Sequence, residues 1–152
     1  VGVELLERLR RTAAHVDIEF IDGSALGVAI CPLLANRAAI LVLDAVSLGA
    51  APGTVHVIEG AGVRQLKRDF SSSVHGTNAA ALIAAAMLLG DVSSRILVIG
   101  IQPRSLEIGI GLSEQVLAAL EPARAQTAAI LDRLLRDEAA SQAHDSAHAA
   151  SI

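Results

Sequence analysis

Apolar residues fall in two rhythms along this chain. Over 3–14, Val3, Leu5, Leu6 and Leu9 line one side of a helix, with Glu4, Glu7, Arg8, Arg10 and Arg11 on the other. Over 16–21 the order Val-Asp-Ile-Glu-Phe-Ile alternates, the period of a strand, and stops at Asp22-Gly23. Residues 25–34 read as helical, with Pro32 limiting their regularity. The continuous apolar run 38–43 predicts a strand buried on both faces, ending at Asp44. A loop with Gly49, Pro52 and Gly53 leads to a further strand over 54–59. Residues 63–70 suit a short helix and 71–73, all serine, a loop. A helix is expected from His75 to Leu89, closed by Gly90. Residues 96–101 form another buried strand. After a loop over 102–112, Ser113 is placed to cap a long helix to about residue 138, kinked or broken at Pro122.

Strands alternating with helices predict an α/β domain, a mostly parallel twisted sheet with helices on both faces. The connection from Val46 to Thr54 is shorter than the dozen or so residues of a parallel crossover. Strand 54–59 is therefore expected to run antiparallel to its predecessor, at the sheet edge. One domain covers 1–138, and the polar, small-residue stretch 139–152 reads as a disordered tail. In such folds ligands bind beyond the carboxyl ends of the parallel strands, where Asp22, Asp44 and the loop 102–112 fall.

Composition narrows the function classes. The chain has 152 residues, 53% of them hydrophobic, enough for one domain with a substantial core. Two Phe and no Tyr or Trp argue against base stacking, and a net charge of -4 provides no basic footprint for nucleic acid. No apolar run approaches the roughly 20 residues of a membrane span, so neither nucleic acid nor membrane is an expected partner. The single Cys31 excludes a disulfide framework and a Cys-based zinc site, and fits a reducing, cytoplasmic setting.

Asp44 closes a buried strand, where a carboxylate is costly without a partner. Taken alone it is equally an Asp that caps a loop. His75, at a helix start, reads alone as a surface or capping residue. Ser71, Ser72 and Ser73 near His75 raise serine catalysis, but no Gly-x-Ser-x-Gly elbow is present. A Cys31–His75–Asp44 arrangement is weakened by the apolar neighbours of Cys31, which suit a packed, inert thiol. His15 and His56 have no acidic companions nearby in sequence and receive no role.

Five blocks together change that picture. They are Asp22-Gly23, Leu43-Asp44-Ala45-Val46 with Ala51-Pro52-Gly53-Thr54, Ser73-Val74-His75, Gly100-Ile101-Gln102-Pro103 with Ser105-Leu106-Glu107, and Gly111-Leu112-Ser113. In order and spacing the chain resembles the hydrogenase maturation endopeptidases, from Val1 to about Glu138. The resemblance implies a protease that removes a C-terminal extension from the large subunit of a nickel–iron hydrogenase after nickel insertion. It implies that nickel in the hydrogenase large-subunit precursor is sensed through a Glu, an Asp and a His. By position Asp44 is that Asp and His75 that His, Asp22 lines the cleft, and Glu107 lies in the segment that closes it.

The family begins with a strand and a Gly-x-Gly-Asn segment leading to an acidic pair that holds the Glu. Val1-Gly2-Val3 matches the helix start just after it, so that strand and that Glu have no counterpart here. The first strand of such a sheet is central, and its loss would exceed the roughly 5–15 kcal/mol by which domains are stable. About 15–20 further residues before Val1 are therefore expected in the natural protein. Competing readings are an α/β peptidase acting on another protein, a non-catalytic chaperone-like module in hydrogenase assembly, and a nucleotide-binding domain.

Overall fold

The computed structural model describes residues 1–12, 16–60, 62, 63, 93, 95–107 and 110–149. Its elements are helix α1 (Gly2–Arg10), a 3-10 turn (Gly27–Ile30), helix α2 (Cys31–Leu34), strands β1 (Ile40–Ala45), β2 (Val55–Glu59) and β3 (Ile96–Ile101), and helix α3 (Glu114–Ala149). The expected helix over 75–89 and the short helix over 63–70 lie almost wholly outside the described residues.

The architecture is α/β, and the sheet is mixed. Its order is β1-β3-β2, with β1 parallel and β2 antiparallel to β3. Among the described residues β2 is an edge strand and runs against β1, as the short connection predicts, although its hydrogen-bonded partner is β3. All six residues of β3 are buried, which is why Ile-Leu-Val-Ile-Gly-Ile carries no polar alternation. On one face Leu97, Ile99 and Ile101 pack with Leu5 and Leu9 of α1 and the inner stripe of α3. On the other, Ile40, Ile96 and Val98 pack with Val46 and Val63. Each such side chain contributes about 1.5–3 kcal/mol on burial.

The alternating stretch 16–21 is not a strand; its residues are turn and coil. A strand needs a ladder partner, and among the described residues none pairs with it. The Phe20 carbonyl instead accepts from the Arg10 guanidinium at 2.9 Å, and Glu19 is paired with Arg37. With that strand absent, the sheet of the described residues holds one parallel and one antiparallel pair, not the mostly parallel set expected.

In α1 the buried stripe narrows to Leu5 and Leu9, and Val3 faces outward. The expected Ser113 cap is present: its Oγ accepts from Val116 N–H at 3.4 Å and its carbonyl from Leu117 N–H at 2.9 Å. Ser113→Ala is expected to lower stability by about 1 kcal/mol, read as a small fall in the urea midpoint. Pro122 neither breaks nor ends α3. Packing holds the helix through it: Val116, Ala119, Leu120, Ala123, Ile130 and Leu134 recur at helical spacing against the sheet. Thr127 sits fully buried in that stripe, its hydroxyl donating to the Ala123 carbonyl at 2.6 Å. The buried stripe stops at Leu134, yet the helix continues to Ala149, through much of the stretch whose composition suggested a tail. Alanine, the best helix former, is abundant there and sustains helix where residues 139–144 are exposed.

Candidate functional site

The site is built on the carboxyl ends of β1 and β3. Asp44 is the fifth residue of β1, one position inside its observed end at Ala45, whereas the apolar run 38–43 placed it just past the strand. The pleat therefore fixes its direction, on the same face as Ile40 and Val42. Its Oδ1 accepts from the Ala45 N–H at 2.8 Å, which sets the plane of the carboxylate. It is half-buried.

The chain then leaves the sheet. Val46 N–H still bonds the Ile101 carbonyl at 3.1 Å, and the loop over 47–53 follows. That loop closes in Ala51-Pro52-Gly53-Thr54, where Thr54 N–H donates to the Ala51 carbonyl at 3.1 Å. Pro52 sits at the second turn position, and Gly53 at the third has φ +88°, the backbone a type II turn requires. A Cβ on Gly53 would also lie 2.6 Å from the Gln115 carbonyl oxygen of α3. Gly53→Ala is thus expected to cost about 2 kcal/mol, measurable by thermal melting.

Two glycines let the elements close in around Asp44. Gly2 opens α1 directly against β1; a Cβ there would be 2.2 Å from the Leu43 carbonyl oxygen. Gly100 is the register partner of Asp44 on β3, and Val46 fills the space above it.

Asp22 is exposed in a turn, its Oδ1 accepting from Ser24 N–H at 3.0 Å. Hydrogen bonding from Ser24, through the side chain and then the backbone, holds the Asp22 carboxyl below its ordinary range, so it is ionised at neutral pH. Glu107 is exposed in the loop that follows β3, where its backbone N–H bonds Ser105 Oγ at 3.0 Å. His75 and the three serines before it lie outside the described residues. Cys31 is buried, as its apolar neighbours predict. No group of three or more His, Cys, Asp or Glu residues that could hold a metal is present among the described residues.

Two residues were given no role of their own in the sequence. His56 of β2 is also a register partner of Gly100, so Asp44, Gly100 and His56 form one row across the three strands. The Nε2 of His56 is buried without a hydrogen-bond partner among the described residues. The row depends on β3 lying between β1 and β2, which no sequence spacing reveals. The other is Gln102, 5% exposed at the end of β3.

A family model described as hydrogenase maturation protease matches residues 3–130. The chain belongs to the hydrogenase maturation protease family. The hydrogenase 2 maturation protease of Escherichia coli K12 is 32% identical over 133 residues, covering 86% of this chain and 80% of that one. The hydrogenase expression/formation protein HupD of Rhodobacter capsulatus is 35% identical over 107 residues, 70% of this chain; the match spans about half (51%) of that relative's length. The solved hydrogenase maturating endopeptidase HybD of E. coli superposes with a TM-score of 0.71 at 27% identity, covering 87% of this chain and 82% of that one. A second E. coli endopeptidase structure gives 0.73 at 29% identity, covering 90% and 83%. In this family member, Asp44 and the loop it introduces occupy the end of the sheet where α/β folds bind ligands.

Proposed function

We propose that this protein is the endopeptidase that removes the C-terminal extension of a nickel–iron hydrogenase large subunit, and that it recognises the inserted nickel through Asp44 and His75. The observation that carries this reading is Asp44, half-buried and oriented at the carboxyl end of a parallel strand in a chain of the hydrogenase maturation protease family. Nickel here belongs to the precursor, not to the protease. A carboxylate and an imidazole suit a borderline divalent ion, and with no thiolate their affinity is moderate. Moderate affinity is what a sensor of another protein's metal needs, since a tight site would strip it.

In this reading the ionised Asp22 and the exposed Glu107 line the cleft, one before β1 and one after β3. Among the described residues no helix is long and apolar enough to cross a membrane. We place the reaction in the cytoplasm, with the hydrogenase large-subunit precursor as the partner.

The test is to incubate the protein with nickel-loaded and nickel-free precursor and follow release of the C-terminal peptide by mass spectrometry. Release from the loaded form alone is expected. Equal release from both ends the nickel-recognition reading, and release from neither ends the protease reading in favour of a non-catalytic assembly module.

A further inference from the structure

Gln102 is nearly inaccessible, and every polar atom of its side chain is engaged. Its Oε1 accepts from the backbone N–H of Leu48 at 2.8 Å and of Ala50 at 3.3 Å. Its Nε2 donates to Ser47 Oγ at 3.3 Å and to its neighbour's Pro103 carbonyl at 3.4 Å. The backbone of the same residue closes the far side of the loop: Gln102 N–H donates to the Thr54 carbonyl at 2.8 Å, and Gly53 N–H donates to the Gln102 carbonyl at 2.9 Å. One residue therefore holds the loop 47–53 at its start, its middle and its end. A loop of this length with Gly49 at φ +74° and Gly53 at φ +88° has little rigidity of its own.

The loop begins just past Asp44, and Gln102 opens the loop that carries Glu107. It therefore sets the position of one wall of the site relative to the other. Each wall presents an exposed leucine, Leu48 at 46% and Leu106 at 69%. A buried amide that satisfies two loop N–H groups is costly to remove, because both donors lose their partner at once.

We propose that Gln102 is a positioning residue for precursor binding, clamping the loop 47–53 so that Leu48 forms a fixed wall beside Asp44. The proposal rests on the protease reading of the site. It predicts an effect on KM, because a loosened wall must be ordered at each binding event while the groups that act on the peptide bond are unchanged.

Gln102→Ala and Gln102→Glu are compared with Leu134→Ala, a core truncation on α3 away from the loop, in the full protein. Amide hydrogen exchange and the kinetics of nickel-loaded precursor cleavage are measured for each. In Gln102→Ala, exchange at Leu48 and Ala50 is expected to quicken about tenfold or more and KM to rise about tenfold, with kcat within about threefold. Gln102→Glu keeps an acceptor for both N–H groups and should restore much of the exchange protection. Leu134→Ala lowers the melting temperature but should leave KM unmoved. Unchanged exchange at Leu48 and Ala50, or a KM rise in Leu134→Ala matching that in Gln102→Ala, overturns the proposal. The exchange measurement needs no substrate, so a clamp that fails is distinguished from a wild-type protein that cleaves nothing.

Discussion

Asp44→Asn is expected to slow processing of the nickel-loaded precursor by about 100-fold, at least the upper end of what loss of a hydrogen-bond partner behind a metal ligand costs, while leaving the melting temperature nearly unchanged. The two residues have the same shape, and Asn retains an oxygen that can accept from the Ala45 N–H as Asp44 Oδ1 does at 2.8 Å. What Asn lacks is the negative charge, which is what a divalent ion selects. Because Asp44 is fixed within the pleat of β1, its carboxylate is placed before the precursor arrives. The measurement is the initial rate of peptide release, with a thermal melt of the same preparation. His75→Gln should act in the same direction. Full activity in both variants would remove the metal-sensing role from these residues, and a large fall in melting temperature of Asp44→Asn would make the carboxylate a structural group instead.

How far these features could be read in the sequence depended on whether a residue's environment is set locally. β3 was legible to the residue, because a continuous apolar run bounded by Arg95 and Gln102 has only one place to go. β1 was found but placed two residues early: Ala38 and Ala39 extend the apolar run without belonging to the ladder. The slip mattered, since it put Asp44 just beyond the strand when it lies within it. The stretch 16–21 carried a strand's alternation and is not one, because period alone does not supply a neighbour. Pro122 suggested a break that packing on both sides of it overrides. In the candidate site Asp44 drew attention in the sequence as an acid closing an apolar run, and the structure places it near the carboxyl end of β1. Gln102 fell within one of the blocks but its role was not legible: an uncharged amide gives no electrostatic clue, and its loop partners lie more than fifty residues earlier. The shared row of Asp44 and His56 was hidden for the related reason that strand order is a property of the whole sheet.

Gly100→Ala is expected to be strongly destabilising, by about 3 kcal/mol, or roughly 10 °C in melting temperature. A Cβ there would lie 2.3 Å from Val46 Cγ2 and 2.6 Å from Val46 Cβ. Rotating the valine relieves the first contact but not the second, because Cβ is fixed to the backbone. The backbone is itself held, with Val46 N–H bonded to the Ile101 carbonyl at 3.1 Å. Val46 is 4% exposed and has no solvent to retreat into. Relief therefore requires Val46 to pull away from β3, and Asp44, paired in register with Gly100, moves with it. Processing by Gly100→Ala, assayed well below its melting temperature, should then fall by about 10- to 100-fold, as for catalytic groups displaced by about an ångström. Val46→Ala in the same background removes the Cγ contact and keeps the Cβ contact, so it should recover only part of the loss, with a coupling of about 1 kcal/mol. An unchanged melting temperature in Gly100→Ala would show that the sheet yields freely at this point, and that the position of Asp44 does not depend on the missing side chain opposite it.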